Sequence, residues 1–144
     1  MNASPPAAPL AIPVLVVDDD PFMREGLRLF LEHNGFRVDL AGDAATAWER
    51  LQAAPPAAAL VDLALPAAPS APAAPAVGLE LVRQIKAQYP AIGVVILSAY
   101  EHYLDEVLLI IRGGARGLAY TLKGRRSAGL LTALERVLAG HVEI

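Results

Sequence analysis

The 144-residue chain contains no cysteine. That excludes a disulfide-stapled framework and a thiolate-ligated metal. It has no excess of basic charge: 12 Lys and Arg stand against 15 Asp and Glu, a formal net charge of −3. A protein devoted to nonspecific nucleic-acid binding would carry the opposite sign. Long apolar runs are also missing. Val94–Leu97 and Val107–Ile111 fall far short of the ~20 residues that a helical membrane span needs. The start, Met1-Asn-Ala-Ser-Pro-Pro-Ala-Ala-Pro, lacks the basic residues and unbroken apolar stretch of a secretory signal. No Gly-x-Gly-x-x-Gly follows the first apolar run, which argues against a dinucleotide oxidoreductase. The expectation is a soluble cytoplasmic protein, with no membrane association and no nucleic-acid contact through this domain.

What is present is 55% apolar and 19% charged, a balance that suits one globular domain. Residues 1–11 are mostly Ala and Pro and read as a disordered lead-in. Ile12–Val17 is a β-branched run that stops at Asp18-Asp19-Asp20, as a strand buried on both faces would. Asp20-Pro21 starts a helix, with Asp as N-cap and Pro in the first turn. Met23, Leu27, Phe30 and Leu31 share its inner face, and Asn34-Gly35 ends it. Phe36–Leu40 is a second strand. Asp43 caps a second helix, with Ala44, Ala47, Trp48 and Leu51 inward. Ala57–Leu63 is a third strand, with Asp62 near its end. Leu79, Val82, Ile85 and Tyr89 mark a third helix that Pro90 stops. Val94–Leu97, ending at Ser98, is a fourth strand. Leu104, Val107, Leu108 and Ile111 mark a fourth helix, closed by Gly113-Gly114. Leu118–Leu122 is a fifth strand, ending at Lys123. Ser127 caps a last helix, and Gly140 closes it. Strands alternating with helices at this spacing predict an α/β body over residues 12–140, a parallel sheet with helices on both faces.

One stretch breaks the rhythm. Residues 66–76 contain only Pro, Ala and Ser, four of them Pro. The composition predicts a semi-extended, polyproline-like loop inserted just after Asp62.

In an open parallel sheet, ligands bind beyond the carboxyl ends of the strands. The residues that close the predicted strands are Asp18 and Asp19, Asp62, Ser98 and Lys123. Carboxylates gathered in one cleft repel and call for a cation. Hard oxygen ligands with room for water suit Mg²⁺. A metal beside a carboxylate, faced by an ammonium and a hydroxyl, suits a tetrahedral anion, and one carboxylate oxygen can attack it. The pattern points to phosphoryl transfer onto an aspartate.

The runs Val-Leu-Val-Val-Asp-Asp-Asp-Pro, Val-Asp-Leu-Ala-Leu-Pro, Val-Ile-Leu-Ser-Ala and Tyr-Thr-Leu-Lys, in that order, resemble the response-regulator receiver domain of two-component signalling. The resemblance covers roughly residues 12–139. It implies a flavodoxin-like doubly wound (βα)5 sandwich with strand order 2-1-3-4-5. It implies that Asp62 is the phosphoacceptor and that Asp18 and Asp19 hold Mg²⁺ with Asp62 and the backbone carbonyl of Ala64. Ser98 is then the switch hydroxyl, Ala99 the small residue beside it, Lys123 the partner of the acyl phosphate and Tyr120 the aromatic switch residue. The implied partner is a sensor histidine kinase, and a homodimer is compatible with the family. The implied output is a change in the surface of the fourth helix, fifth strand and fifth helix, regulating transcription through an effector domain outside this chain. The domain itself is then no enzyme beyond its own phosphorylation and dephosphorylation. The sequence departs from the family where Gly78 falls late, after the 66–76 insertion, and where Gly124 follows Lys123 in place of a common cis-proline.

Plainer readings stand beside these. Asp18–Asp20 taken alone is an ordinary strand-to-helix turn. Ser98 can cap the fourth helix, and Tyr120 can be a core or edge aromatic. An aspartate-nucleophile phosphatase would need a second Asp two residues after Asp62, where this chain has Ala64. A receiver-like interaction module that works without phosphorylation remains as the alternative, suggested by the insertion beside Asp62.

Overall fold

The computed structural model describes residues 11–99, 103–123 and 127–143. Of the expected lead-in, residues 1–10 lie outside this range, as does Gly124. The strand β1 (Ile12–Val17) buries four consecutive residues, Val14 to Val17. Their side chains alternate between two cores. Val14 and Val16 join a cluster with Leu31, Leu130 and Leu134, whereas Leu15 and Val17 join one with Leu51, Leu81, Val82 and Val107. A strand covered on both faces can be apolar throughout, so the unbroken run at 12–17 follows from its central place. Each Val or Leu buried this way contributes roughly 1.5–3 kcal/mol.

The helix α1 (Pro21–His33) begins at Asp20, whose side chain accepts from the Phe22 and Met23 amides. It leads into β2 (Phe36–Ala41), an edge strand. α2 (Ala44–Ala53) is capped by Asp43, which accepts from both the amide and the hydroxyl of Thr46 at 2.8 Å. β3 (Ala58–Asp62) is buried along its whole length. Then come two short strands, β4 (Leu65–Pro66) and β5 (Ala73–Ala74), followed by α3 (Pro75–Gln88). β6 (Gly93–Ser98), α4 (Leu104–Arg112), β7 (Leu118–Leu122), α5 (Ser127–Leu138) and β8 (Val142–Glu143) complete the described chain.

The main sheet is parallel, in the order β2-β1-β3-β6-β7-β8. Its first five strands run in the expected 2-1-3-4-5 order. One core contains buried residues of α1 and α5, the other buried residues of α2, α3 and α4. Trp48 of α2 meets Tyr89, just past α3, edge to face at 5.9 Å, which ties those helices together.

The structure differs from the sequence reading in three places. The sheet has a sixth strand: β8 adds to the outer side of β7, pairing Val142 with Leu118 and Glu143 with Ala119. The 66–76 stretch is not a plain polyproline-like loop. Leu65 pairs with Ala74 and Pro66 with Ala73 in an antiparallel ribbon, and Ala67 accepts from the Ala45 amide at 3.0 Å. Finally, α3 starts at Pro75, so residues 75 and 76 belong to the helix and not to the insertion. Proline lacks an amide hydrogen, and the first turn of a helix is where that lack is harmless.

Gly78 shows how the insertion is absorbed. Its amide donates to Leu63 O at 3.1 Å, and a Cβ here would lie 2.3 Å from that oxygen. Only glycine allows α3 to press this closely on the residue that follows Asp62. The ribbon is therefore looped out without disturbing the end of β3.

Candidate functional site

The site forms where β1, β3, β6 and β7 end. In register, Val17 lies beside Val61, Asp62 beside Leu97, and Ser98 beside Leu122. Parallel pairing thus carries the polar residues that close each strand to one edge.

Asp18 and Asp62 are buried, and Asp19 beside them is exposed. One carboxylate oxygen from each of the three lies within 4.8 Å of the others. Lys123 reaches across from the end of β7. Its Nζ donates to Asp62 Oδ2 at 2.8 Å and lies 3.6 Å from Asp18 Oδ2. The Lys123 amide also donates to Ser98 O at 2.7 Å, which fixes the root of that side chain on β6.

The remaining carboxylate oxygens have distinct roles. Asp62 Oδ1 accepts from the Ala64 amide at 3.2 Å, and Asp18 Oδ1 accepts from the Asp20 amide at 2.9 Å. Among the described residues, Asp18 Oδ2 is buried and finds no hydrogen-bond partner, with Lys123 Nζ 3.6 Å away. Buried carboxylate oxygens rarely stay unsatisfied, because the lost hydration costs ~1–3 kcal/mol or more. An oxygen in that condition, facing two further carboxylates, fits a hard cation.

The titration behaviour agrees. Burial first, with the charges of Asp62 and Asp19, pushes the Asp18 carboxyl up to about 6, against the Asp20 amide and Lys123, which favour its ionised form. For Lys123, burial acts to lower the pKa, but the hydrogen bond to Asp62 and the charges of Asp18 and Asp62 outweigh it and hold the ammonium above its ordinary value. The pocket therefore holds an excess of negative charge that one lysine does not cancel.

The structure brings together Asp18, Asp19, Asp62 and Lys123, with Ala64 joined through its amide. Ser98 is buried at the same edge and Ala99 is exposed beside it. Tyr120 is half-buried against the core on the side of α2, α3 and α4, and is paired in register with Ile96. Sequence reasoning missed Arg24. Its Nη1 donates to the main-chain oxygen of Asp18 at 2.9 Å. The available signal was weak: a basic residue one turn into the helix that follows the acidic pair.

Comparison with known proteins agrees with this geometry. The sequence matches the response regulator receiver domain family over residues 14–124. It is 33% identical over 133 residues to the transcriptional activator protein ExaE of Pseudomonas putida, covering 91% of this chain and 57% of that protein. The chain thus spans less than two thirds of that curated relative. Among solved structures, a LuxR-family two-component response regulator from an Aurantimonas species is 29% identical with a TM-score of 0.73, covering 93% of this chain and 89% of that one. The receiver domain of NtrX from Brucella abortus is 27% identical with a TM-score of 0.71, covering 88% and 98%. Among the described residues, no helix is long and apolar enough to cross a membrane. A parallel α/β sandwich with an acidic pocket and an opposed lysine at its strand ends, matched along most of its length, belongs to the response regulator receiver domain family.

Proposed function

We propose that this domain is a phosphorylation switch in which Asp62 accepts a phosphoryl group from a sensor histidine kinase. One observation carries the reading: three carboxylates converge within 4.8 Å, and a single lysine bridges two of them. Asp18, Asp19 and Asp62, with the carbonyl of Ala64, would hold Mg²⁺. Bound there, Mg²⁺ supplies positive charge toward the oxygens of the incoming phosphoryl group and offsets the repulsion among the acids.

The protein's own residues do the rest. An oxygen of Asp62 attacks phosphorus, the imidazole N–P bond of the kinase phosphohistidine breaks as the O–P bond forms, and the leaving imidazole keeps the electron pair and takes up a proton. Lys123, held by the Ser98 carbonyl and already on Asp62, shifts its charge to the new phosphoryl oxygens. The hydroxyl of Ser98 donates to the same group. The small Ala99 leaves the approach open. Movement of Ser98 and Lys123 biases the surface of α4, β7 and α5, with Tyr120 as the aromatic that repacks. To turn a 1:99 equilibrium into 99:1, phosphorylation must favour the active form by about 5.5 kcal/mol. Transcription is the output supported by the name of the activator that the chain resembles, which is longer than this chain.

Intact-mass measurement tests the reading. With a small-molecule phosphodonor and Mg²⁺, the wild type should gain about 80 Da, one phosphoryl group. Asp62→Asn should gain nothing. A wild type that takes up no phosphoryl group under these conditions would return the domain to the class of phosphorylation-independent interaction modules.

A further inference from the structure

Arg24 and Gly42 form a contact that bears on the acidic pocket. Arg24 lies in the first turns of α1, half-buried. Its Nη1 donates to the Asp18 carbonyl at 2.9 Å. The guanidinium lies against Gly42, in the β2–α2 loop: a Cβ at Gly42 would sit 2.6 Å from Nη1 and 3.5 Å from Cζ. The Asp18 amide, for its part, donates to Ala41 O at 3.0 Å.

Both main-chain polar groups of Asp18 are thus held, one by β2 and one by Arg24. The side chain is held too, because Oδ1 accepts from the Asp20 amide. With three tethers on one residue, the remaining oxygen, Oδ2, has little choice but to face Asp62 and Lys123. The charged groups acting on the Asp18 carboxyl are Asp62, Lys123 and Asp19. Arg24 acts on the peptide of Asp18 and not on its carboxylate.

We propose that Arg24 is a positioning residue for the metal site: by clamping the Asp18 carbonyl in the space left by Gly42, it fixes the acidic pair in the geometry a divalent cation needs. This rests on the Mg²⁺-dependent reading above. Groups behind the ligands of a metal commonly change its affinity 10–100-fold when removed. Nothing in the contact needs the side chain to touch the metal or the phosphoryl group.

The test is calorimetric titration of Mg²⁺ into the metal-free domain, with no phosphodonor present. Arg24→Ala should weaken binding about 10–100-fold, while Arg24→Lys, which keeps a donor on a long stem, should recover most of the loss. Gly42→Ala provides an independent route. Its methyl group would lie 2.6 Å from Arg24 Nη1 and 4.0 Å, ordinary contact distance, from Asp18 O, so the backbone can stay while the flexible guanidinium is pushed off its present position on that oxygen. It should weaken binding by a similar factor, and the double variant should be no worse than either single one, since both remove one contact. Arg28→Ala deletes the same charge from the same helix, away from Asp18, and should leave the affinity unchanged. Thermal unfolding of the metal-free variants separates the role from a merely structural one. A positioning role predicts weaker metal binding out of proportion to any fall in melting temperature.

Wild-type affinity in Arg24→Ala would overturn the proposal. So would equal losses in Arg24→Ala and Arg28→Ala, which would make the effect one of net charge. Should Arg24→Ala fail to fold, Gly42→Ala carries the test alone, and unchanged binding there overturns the proposal. A wild type that binds no Mg²⁺ at all would instead defeat the reading of the site, and this inference with it.

Discussion

Two lysines with mostly buried side chains sit at opposite ends of the sheet, and they have met burial in opposite ways. Lys123, where the strands end, is paired with carboxylates and is held above its ordinary pKa. Lys86, in the last turn of α3, is 7% exposed and, among the described residues, has only main-chain partners. Its Nζ donates to Ile92 O at 2.6 Å and to Arg116 O, tying the approach to β6 to the approach to β7. With dipoles and no counter-charge, burial lowers its pKa to about 8. A full negative charge compensates desolvation of an ammonium, whereas two carbonyls do so only in part. The first arrangement leaves a charge ready to respond when a phosphoryl group arrives. The second is a tie between loops, away from the candidate site.

Separating stability from chemistry breaks this comparison most strongly. Lys86→Ala should cost ~2–4 kcal/mol of unfolding free energy, from the lost stem and the unsatisfied carbonyls. Denaturant titration measures that, and the folded fraction should still take up the phosphoryl group. Lys123→Ala should do the reverse. Phosphoryl uptake should slow by roughly 100-fold, the usual loss when one stabilising group is removed from a developing anion. Its unfolding midpoint should move less than that of Lys86→Ala. Equal effects of the two variants on uptake would erase the distinction.

A smaller effect sharpens it through pH. In chelated protein, native Asp18 titrates near 6 instead of 3.8. Between those values the native state binds more protons than the unfolded chain, so this carboxyl's contribution to stability is greatest below 3.8 and is lost as pH rises through 6. Lys86 behaves oppositely. Its native pKa of about 8 lies below the ordinary 10.5. Over that window the unfolded chain binds more protons, and stability should rise with pH. Unfolding curves of Asp18→Asn and Lys86→Met, each subtracted from the wild type, should show the two slopes with opposite sign. Added Mg²⁺ should flatten only the first.

The same contrast explains what was legible in the sequence. Asp18, Asp19, Asp62, Ser98 and Lys123 could be read because each closes an apolar run, and a parallel sheet sends such residues to one edge. The strand order followed once the motifs were placed. Lys86 and Arg24 could not be read, because their acceptors are backbone carbonyls. For Lys86 one of these lies 30 residues away, and no side-chain pattern marks it. The ribbon at Leu65–Pro66 and Ala73–Ala74 was hidden by its prolines, which argue against central strands but not against a two-residue edge pair. β8 has two residues, too few to show a period. Pro75 did carry a helix-start signal, but it was absorbed into the surrounding Pro/Ala stretch.

The central claim is that the carboxyl group of Asp62 becomes an acyl phosphate. Borohydride reduction after treatment with phosphodonor and Mg²⁺ tests it directly, because an aspartyl phosphate is reduced to homoserine whereas a free carboxylate or a phosphoserine is not. Tandem mass spectrometry should find homoserine at position 62 and aspartate at positions 18 and 19. Aspartate retained at 62, with the phosphoryl group on Ser98 or another residue, would contradict the account.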